Sequence, residues 1–374
     1  MHTPITAMLG CEFPVLAFSH CRDVVAAVSK AGGFGVLGAV AHTPDQLEID
    51  LAWIDAEVGG RPYGVDLLLP QKYVGADQGG LDRDGLRQLL PPEHRDFVDD
   101  ILARYGVPAL PDDERPRGMN LSVSPDGYEP LLDVAFAHPI GLIASALGPP
   151  PADVVERARS IGVKVAALAG TTAHAVKHAE AGADIIIAQG SEAGGHTGEV
   201  GTMVLVPEVV DAVAPIPVLA AGGIAHGRHM AAAMALGAAG VWTGSVWLTT
   251  AEAETEPTVK EKFLAASSSD TIRSRSITGK PARMLRTPWT DEWERPDGPG
   301  TLPMPLQPLL VGPALQRINR SASTAGSGAE QLATYFVGQV VGSIDTVRPA
   351  DRVVLEMVEG FINSITALSR HLDV

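Results

Sequence analysis

TAHAVKHAEAGADIIIAQ, residues Thr172–Gln189, contains the structural unit from which the fold is built. Thr172–Ala181 has the length and composition of a short helix, and Gly182 follows it directly. Glycine readily adopts the left-handed conformation that ends a helix before the chain turns. Asp184–Gln189 is then a nearly continuous apolar run, the pattern of a strand buried on both faces. The stretch therefore predicts one helix–glycine–strand unit of a parallel sheet covered by helices.

The same unit recurs along the chain. Apolar runs predict eight strands, at Pro14–Phe18, Phe34–Ala39, Tyr63–Pro70, Ile140–Ala146, Val163–Ala169, Asp184–Gln189, Pro217–Ala221 and Gly240–Gly244. Glycines also precede the second, fifth and eighth of these strands, at Gly32, Gly162 and Gly237. This repetition predicts the α/β class and, within it, a (β/α)8 TIM barrel. A doubly wound open sheet is the alternative, because the number of strands does not reveal whether the sheet closes.

Two long segments interrupt the repeat. We predict that residues 1–250 and 346–374 form the barrel, with an inserted segment at 71–118 after the third strand. Residues 251–345 follow the eighth strand and are predicted to form a lid or substrate subdomain of helices and loops. Both insertions follow strands, so we expect them at the C-terminal face, where barrel enzymes hold their active sites.

Composition restricts the class of protein. The chain has 374 residues, of which 45% are apolar and 19% charged, which indicates a packed core rather than disorder. Its net charge of −16 argues against a nucleic acid as partner. Two cysteines, no signal-peptide pattern and no long apolar stretch predict a cytoplasmic protein that is not inserted in a membrane. We expect a small-molecule substrate and no metal, and homo-oligomerisation stays open.

The most specific motif follows the sixth predicted strand. Residues 189–198 read QGSEAGGHTG, with four glycines in ten residues. Such a loop lets the backbone approach a planar ligand closely. Gln189 lies at the strand end, where its amide could hydrogen-bond a ring edge. His196 lies among glycines rather than on an apolar face, which favours a functional over a structural histidine.

Glycine motifs also follow the seventh and eighth strands. Residues 218–224 read VLAAGGI, and residues 241–245 read VWTGS. In barrels these two loops commonly form a phosphate site from backbone N–H groups and the N-terminus of a short helix. Gly-Gly alone also occurs in ordinary turns, but the two motifs at these positions together predict a phosphate-bearing ligand.

These motifs together resemble the nitronate monooxygenase family, formerly called 2-nitropropane dioxygenases. The likeness extends to residues 26–35 (AAVSKAGGFG), 64–66 (GVD), 278–283 (TGKPAR) and 338–339 (GQ). It covers most of the chain apart from residues 71–118 and about 288–330.

The resemblance implies a TIM barrel that binds FMN, and it assigns roles to individual residues. His196 would be the catalytic histidine. The implied FMN-binding residues are Ala17, Phe18, Asp66, Gln189, Gly194, Gly222, Gly223, Trp242, Thr243, Gly244 and Ser245. Asp66 stands where the family often has Asn, so a carboxyl group would replace an amide beside the flavin. The first strand is bulkier than the family's common form, which affects the size of the substrate pocket.

A cationic run in this acidic chain has two interpretations. Five basic residues and no acidic one occur between positions 273 and 286, namely Arg273, Arg275, Lys280, Arg283 and Arg286. The run is either a solvated loop or a landing site for a phosphorylated substrate such as a CoA thioester or NADPH. In the second case Arg283 and Arg286 are the candidate substrate contacts.

Three functions are compatible with these observations. The resemblance implies oxidation of alkyl nitronates with O2 to carbonyl compounds and nitrite. The alternative is an NAD(P)H-dependent flavin reductase acting on an enone, an enoyl thioester or a quinone, a larger substrate that would suit the long insertions. In that case NAD(P)H would be a co-substrate, and the sequence does not choose between NADH and NADPH. A flavin-binding protein without catalysis is the third, and the unexplained His196 argues against it.

Overall fold

A computed structural model describes residues 1–69, 83–111, 125–324 and 327–372. The strands are β1 (Val15–Ser19), β2 (Phe34–Gly38), β3 (Tyr63–Leu68), β4 (Leu142–Ala146), β5 (Lys164–Ala169), β6 (Ile185–Gln189), β7 (Gly195–His196), β8 (Val218–Ala221), β9 (Gly240–Thr243), β10 (Thr271–Ser274) and β11 (Ala282–Leu285). The helices are α1 (Pro4–Leu9), α2 (Arg22–Lys30), α3 (Pro44–Glu57), α4 (Arg83–Gln88), α5 (Pro92–Arg104), α6 (Pro125–Ala137), α7 (Ala152–Ser160), α8 (Thr172–Glu180), α9 (Thr202–Val213), α10 (Gly227–Ala235), α11 (Pro257–Ala265), α12 (Pro288–Trp293), α13 (Leu306–Ala322), α14 (Ala329–Leu332) and α15 (Ala350–Ser369).

Eight parallel strands close into a barrel, in the order β1-β2-β3-β4-β5-β6-β8-β9. The ring closes where Leu16 of β1 pairs with Trp242 of β9. The predicted (β/α)8 barrel is confirmed, and the open-sheet alternative is wrong. Gly182 has φ of +93°, as expected for the glycine that ends α8 before β6. Pro70, the predicted end of the third strand, lies outside the described residues.

The barrel interior is filled by alternate residues of each strand. Leu16, Phe34 and Ile185 are fully buried there with Leu142 and Leu219. Helix α1, which the apolar runs of the sequence did not indicate, adds Ile5 and Leu9 to the same cluster and closes the N-terminal end. Across the described parts of the chain, no helix combines the length and apolar character needed to cross a membrane.

The described parts of the two insertions share one hydrophobic cluster. Ile101 of α5, Trp289 of α12 and Val311 of α13 are fully buried in it. Phe263 of α11 and Leu332 of α14 complete its centre. Residues 71–82 and 112–118 of the first insertion lie outside the described residues. We propose that the insertions form a single cap, rather than a lid at 251–345 and a separate barrel insertion.

A small antiparallel sheet, in the order β10-β11-β7, connects this cap to the barrel. His196 pairs with Ala282, and Gly195 pairs with Arg283. The loop after β6 thus forms a short strand that pairs with the cap. The sequence pattern did not indicate this pairing.

Candidate active site

Four of the proposed cofactor-binding residues lie on the interior face of the barrel, by the alternation of their strands: Phe18, Asp66, Gln189 and Trp242. The Phe18 and Trp242 rings stack with their centroids 6.1 Å apart. They form an aromatic pair in which Trp242 is buried in the barrel interior and Phe18 remains partly accessible.

Two other proposed residues direct their side chains outward. Ala17 packs into the cluster between the barrel and its helices. The Thr243 hydroxyl donates to the Leu16 carbonyl at 2.9 Å and accepts from the Trp247 indole N–H. Both residues therefore stabilise the barrel through their side chains, and only their backbones remain for a ligand.

His20 lies just after β1 beside Phe18. Its ring Nδ1 is 2.7 Å from the Gly38 carbonyl, and its edge meets Phe18 with centroids 5.1 Å apart. Burial lowers the pKa of His20, yet its side chain remains exposed. Its position directly after a barrel strand is the sequence signal that could have identified it.

The glycine loop after β6 rests directly on the first turn of α9. The Glu192 carboxylate accepts the Thr202 N–H at 2.9 Å and the Thr202 hydroxyl at 3.0 Å. A Cβ at Gly190 would collide with the same threonine. The carboxylate caps the exposed N–H groups of the helix end, where negative charge is favourable. Because of this cap, α9 begins at Thr202.

A segment near the C-terminus ties two loops together. The Gln339 N–H donates to the Glu192 carbonyl at 2.9 Å, and the Gly338 N–H donates to Ser245 Oγ at 2.8 Å. A Cβ at Gly194 would lie 2.9 Å from the Gly338 nitrogen, so glycine is required at this crossing. The motif Gly338-Gln339 thus joins the loop after β6 to the loop after β9, and both Gly194 and Ser245 serve this junction.

The loop after β8 packs on the loop after β6 at Gly222, where a Cβ would lie 3.0 Å from Thr202 Oγ1, whereas the loop after β9 leaves open space at Gly244. Gly222 and Gly223 have φ of +97° and +72°, which form a turn that side chains disfavour. A Cβ on Gly244 would meet no described atom within 4 Å. Gly244 has negative φ, −128°, so the backbone turn itself does not require glycine there. The space beside Gly244 is therefore open, so a methyl group or an approaching ligand could enter it.

His196 is half-buried, and its Nε2 lies 2.9 Å from Thr278 Oγ1. Burial, and secondarily the charge of Lys280, lower the pKa of His196 to about 4, so the imidazole is neutral at pH 7. The Thr278 hydroxyl donates to the Lys280 carbonyl at 3.1 Å. Because the only hydroxyl hydrogen of Thr278 is used in that bond, Thr278 Oγ1 accepts a hydrogen bond from the Nε2–H of His196. Nδ1 then carries the lone pair, and no hydrogen bond from the described residues reaches it.

The two arginines proposed as substrate contacts occupy different environments. Arg283 is 9% exposed, and its guanidinium donates to the Ser191 carbonyl at 2.9 Å and to Thr271 Oγ1 at 3.0 Å. Arg286 is exposed and pairs with Asp291 at 2.8 Å. Arg283 braces the glycine loop, so its hydrogen bonds are directed inward to the protein.

A closed barrel with glycine loops and a neutral histidine at its C-terminal face defines an enzyme acting on a small molecule. The family model described as nitronate monooxygenase matches residues 5–360. The chain belongs to this family of oxidoreductases.

Individual relatives agree with this assignment. The Mycobacterium tuberculosis protein named "Putative monooxygenase Rv1533" is 67% identical over 369 residues, covering 98% of each chain. The solved nitroalkane oxidase from Streptomyces ansochromogenes is similar with a TM-score of 0.80 and 28% identity, covering 97% of this chain and 99% of that one. FabK from Thermotoga maritima is similar with a TM-score of 0.73 and 28% identity, over 99% of each chain.

Proposed function

We propose that this protein is an FMN-dependent enzyme that oxidises nitroalkanes, as their nitronates, with O2 to carbonyl compounds and nitrite. The observation that carries the proposal is the neutral His196, whose Nδ1 is free of protein partners at the face that carries the glycine loops. The likeness to a nitroalkane oxidase supports the substrate class.

The chain's residues fit FMN. Backbone at Gly222, Gly223 and Gly244 would hold the phosphate, where the open space beside Gly244 leaves room for it. Phe18 and Trp242 would lie near the ring system. Bound FMN would supply an acceptor for the electrons of the substrate and pass them to O2.

His196 and Lys280 have complementary roles in this proposal. Nδ1 takes the α-proton of a neutral nitroalkane, and the C–H electron pair moves onto the nitro group to give the nitronate. The resulting imidazolium keeps its Nε2–H hydrogen bond to Thr278. Lys280 is exposed and close enough that its charge lowers the pKa of His196, so it would also attract the nitronate anion. An unprotonated Nδ1 has no proton to give to a carbonyl oxygen, which argues against the reductase.

The protein is expected to purify yellow, with about one FMN per chain, because one set of glycine loops forms one phosphate cradle. Anaerobic mixing with a nitronate should bleach the flavin absorbance faster than mixing with NADH or NADPH. Faster bleaching by a nicotinamide would instead support the NAD(P)H-dependent reductase. A colourless protein that takes up no added FMN would refute both.

Replacing Gly244 with alanine should lower FMN affinity by about tenfold or more, because the methyl group enters the proposed phosphate cradle. The fold should be unaffected, since no described atom lies within 4 Å of the added carbon. The Kd comes from flavin fluorescence, and the Tm from thermal unfolding of the apoprotein. Gly141→Ala is the matched control at the opposite end of the barrel, where the methyl makes ordinary contacts at 3.6 Å with Phe34. Equal Kd values for the two variants would place the phosphate elsewhere.

A further inference from the structure

Asp66 is a buried carboxyl group on the interior face of β3. It is 6% exposed, and it alternates with Val65 and Leu67, which pack outward among the helices. Its register partners on the neighbouring strands are Gly38 and Ala144. The side chain therefore points into the barrel near the carboxyl ends of the strands, on the face shared with Phe18 and Trp242.

No described residue provides Asp66 with a hydrogen bond or an ion pair. Desolvation alone raises the pKa of Asp66 to about 8. Buried polar groups are otherwise almost always hydrogen-bonded, and an unpaired buried carboxylate is costly. An orphaned group of this kind, aimed into a ligand site, is explained by a partner atom on the ligand.

The groups around Asp66 give it no positive charge. On the β2 side, the carbonyl of the register partner Gly38 lies 2.7 Å from Nδ1 of His20, whose pKa is lowered by burial. On the β4 side the register partner is Ala144. Helices α2 and α6 contact the outer face of β3 through apolar side chains such as Val25 and Leu131. Nothing in the described surroundings favours the ionised form.

We propose that Asp66 holds the flavin as a neutral carboxylic acid, donating its proton in a hydrogen bond to an acceptor atom of the ring, so that FMN binding requires this protonated form. The inference rests on the proposed FMN function. A carboxylic acid here does what an amide N–H would do, and it also makes the contact sensitive to pH. The carboxylate formed at high pH has no hydrogen to donate, and its charge opposes an electron-rich acceptor.

The first test is the FMN dissociation constant of wild type, Asp66→Asn and Asp66→Leu between pH 7 and 9.5. This range lies above the second pKa of a phosphate monoester, about 6. At pH 7 wild type and Asp66→Asn should bind within about threefold of each other, while Asp66→Leu binds about tenfold or more weakly. Above pH 8 the affinity of wild type for FMN should fall by up to about tenfold per pH unit, and the affinity of Asp66→Asn should not change with pH. If the FMN dissociation constant of wild type changed as little with pH as that of Asp66→Asn, the proposal would be overturned.

The second test needs no flavin and separates this inference from the proposed function. The folded apoprotein holds a proton on Asp66 up to about pH 8, whereas the unfolded chain releases it near the ordinary value of 3.8. Stability therefore falls as pH rises between these values. The Tm advantage of Asp66→Asn over wild type should grow from pH 5 to pH 8 and then stay constant. A difference independent of pH would show an ionised Asp66 and overturn the inference. If neither protein binds FMN, the proposed function fails while this measurement still reports the state of Asp66.

Discussion

Replacing His196 with alanine should slow the oxidation of a neutral nitroalkane by about 10²–10⁴-fold, the usual contribution of a general base. The reason is the loss of Nδ1, the nitrogen that the Thr278 hydrogen bond leaves with a free lone pair. FMN binding should persist, because the loops at Gly222, Gly223 and Gly244 are untouched. The measurement is kcat/KM with the neutral nitroalkane and with the preformed nitronate, together with the FMN dissociation constant.

His196→Asn distinguishes proton removal from orientation. Asparagine keeps a hydrogen-bonding side chain but cannot take up a proton at these pH values. It should therefore resemble alanine with the neutral nitroalkane and retain much of the activity on the preformed nitronate. Since the pKa of His196 is about 4, wild type should also lack an acidic limb from this residue between pH 5 and 8. Wild-type rates from both variants on every substrate would make His196 structural.

Arg283→Ala should destabilise the protein by about 2–3 kcal/mol and weaken FMN binding. The substitution removes hydrogen bonds to Ser191 and Thr271 and leaves the Ser191 carbonyl, inside the glycine loop, without this donor. Arg283→Lys should recover only part of the loss, because an ammonium group cannot reproduce the planar fork. The measurements are the Tm of the apoprotein and the FMN dissociation constant.

Arg286→Ala is the matched control, three residues away on the same cationic run. Its guanidinium is exposed and pairs with Asp291, so its removal should leave the Tm nearly unchanged. Equal Tm losses in the two variants would contradict the bracing role of Arg283. Unchanged Tm values together with a raised KM for NADPH in both would restore the interpretation of a phosphate landing site.

The barrel was predictable because each strand is a nearly continuous apolar run and several begin just after a glycine. These are local signals, carried by segments such as Thr172–Gln189. The start of α9 was not predictable, because the group that caps it, Glu192, lies ten residues upstream and acts through a turn of the loop. The strand at His196 likewise depends on Ala282, far along the chain.

The sequence indicated where along the chain the loops of the candidate site lie, but not in which direction its side chains point. Glycine motifs locate the loops, whereas the interior or exterior orientation of Ala17 and Phe18 depends on the phase of the strand within the closed barrel. The cationic run illustrates the same limit. Sequence reports the charges of Arg283 and Arg286, but only the fold separates the buried guanidinium from the exposed one.

The crossing of Gly338 over Gly194 has a consequence for biosynthesis. Translation of the eight barrel strands is complete at Thr243. The segment that joins the loop after β6 to Ser245 is translated almost a hundred residues later. All the barrel strands are thus present in the nascent chain long before the residues that join the two loops. A ligand held between these two loops would therefore meet the completed junction only late in synthesis, and a chain shortened before Val337 would carry every strand without that junction.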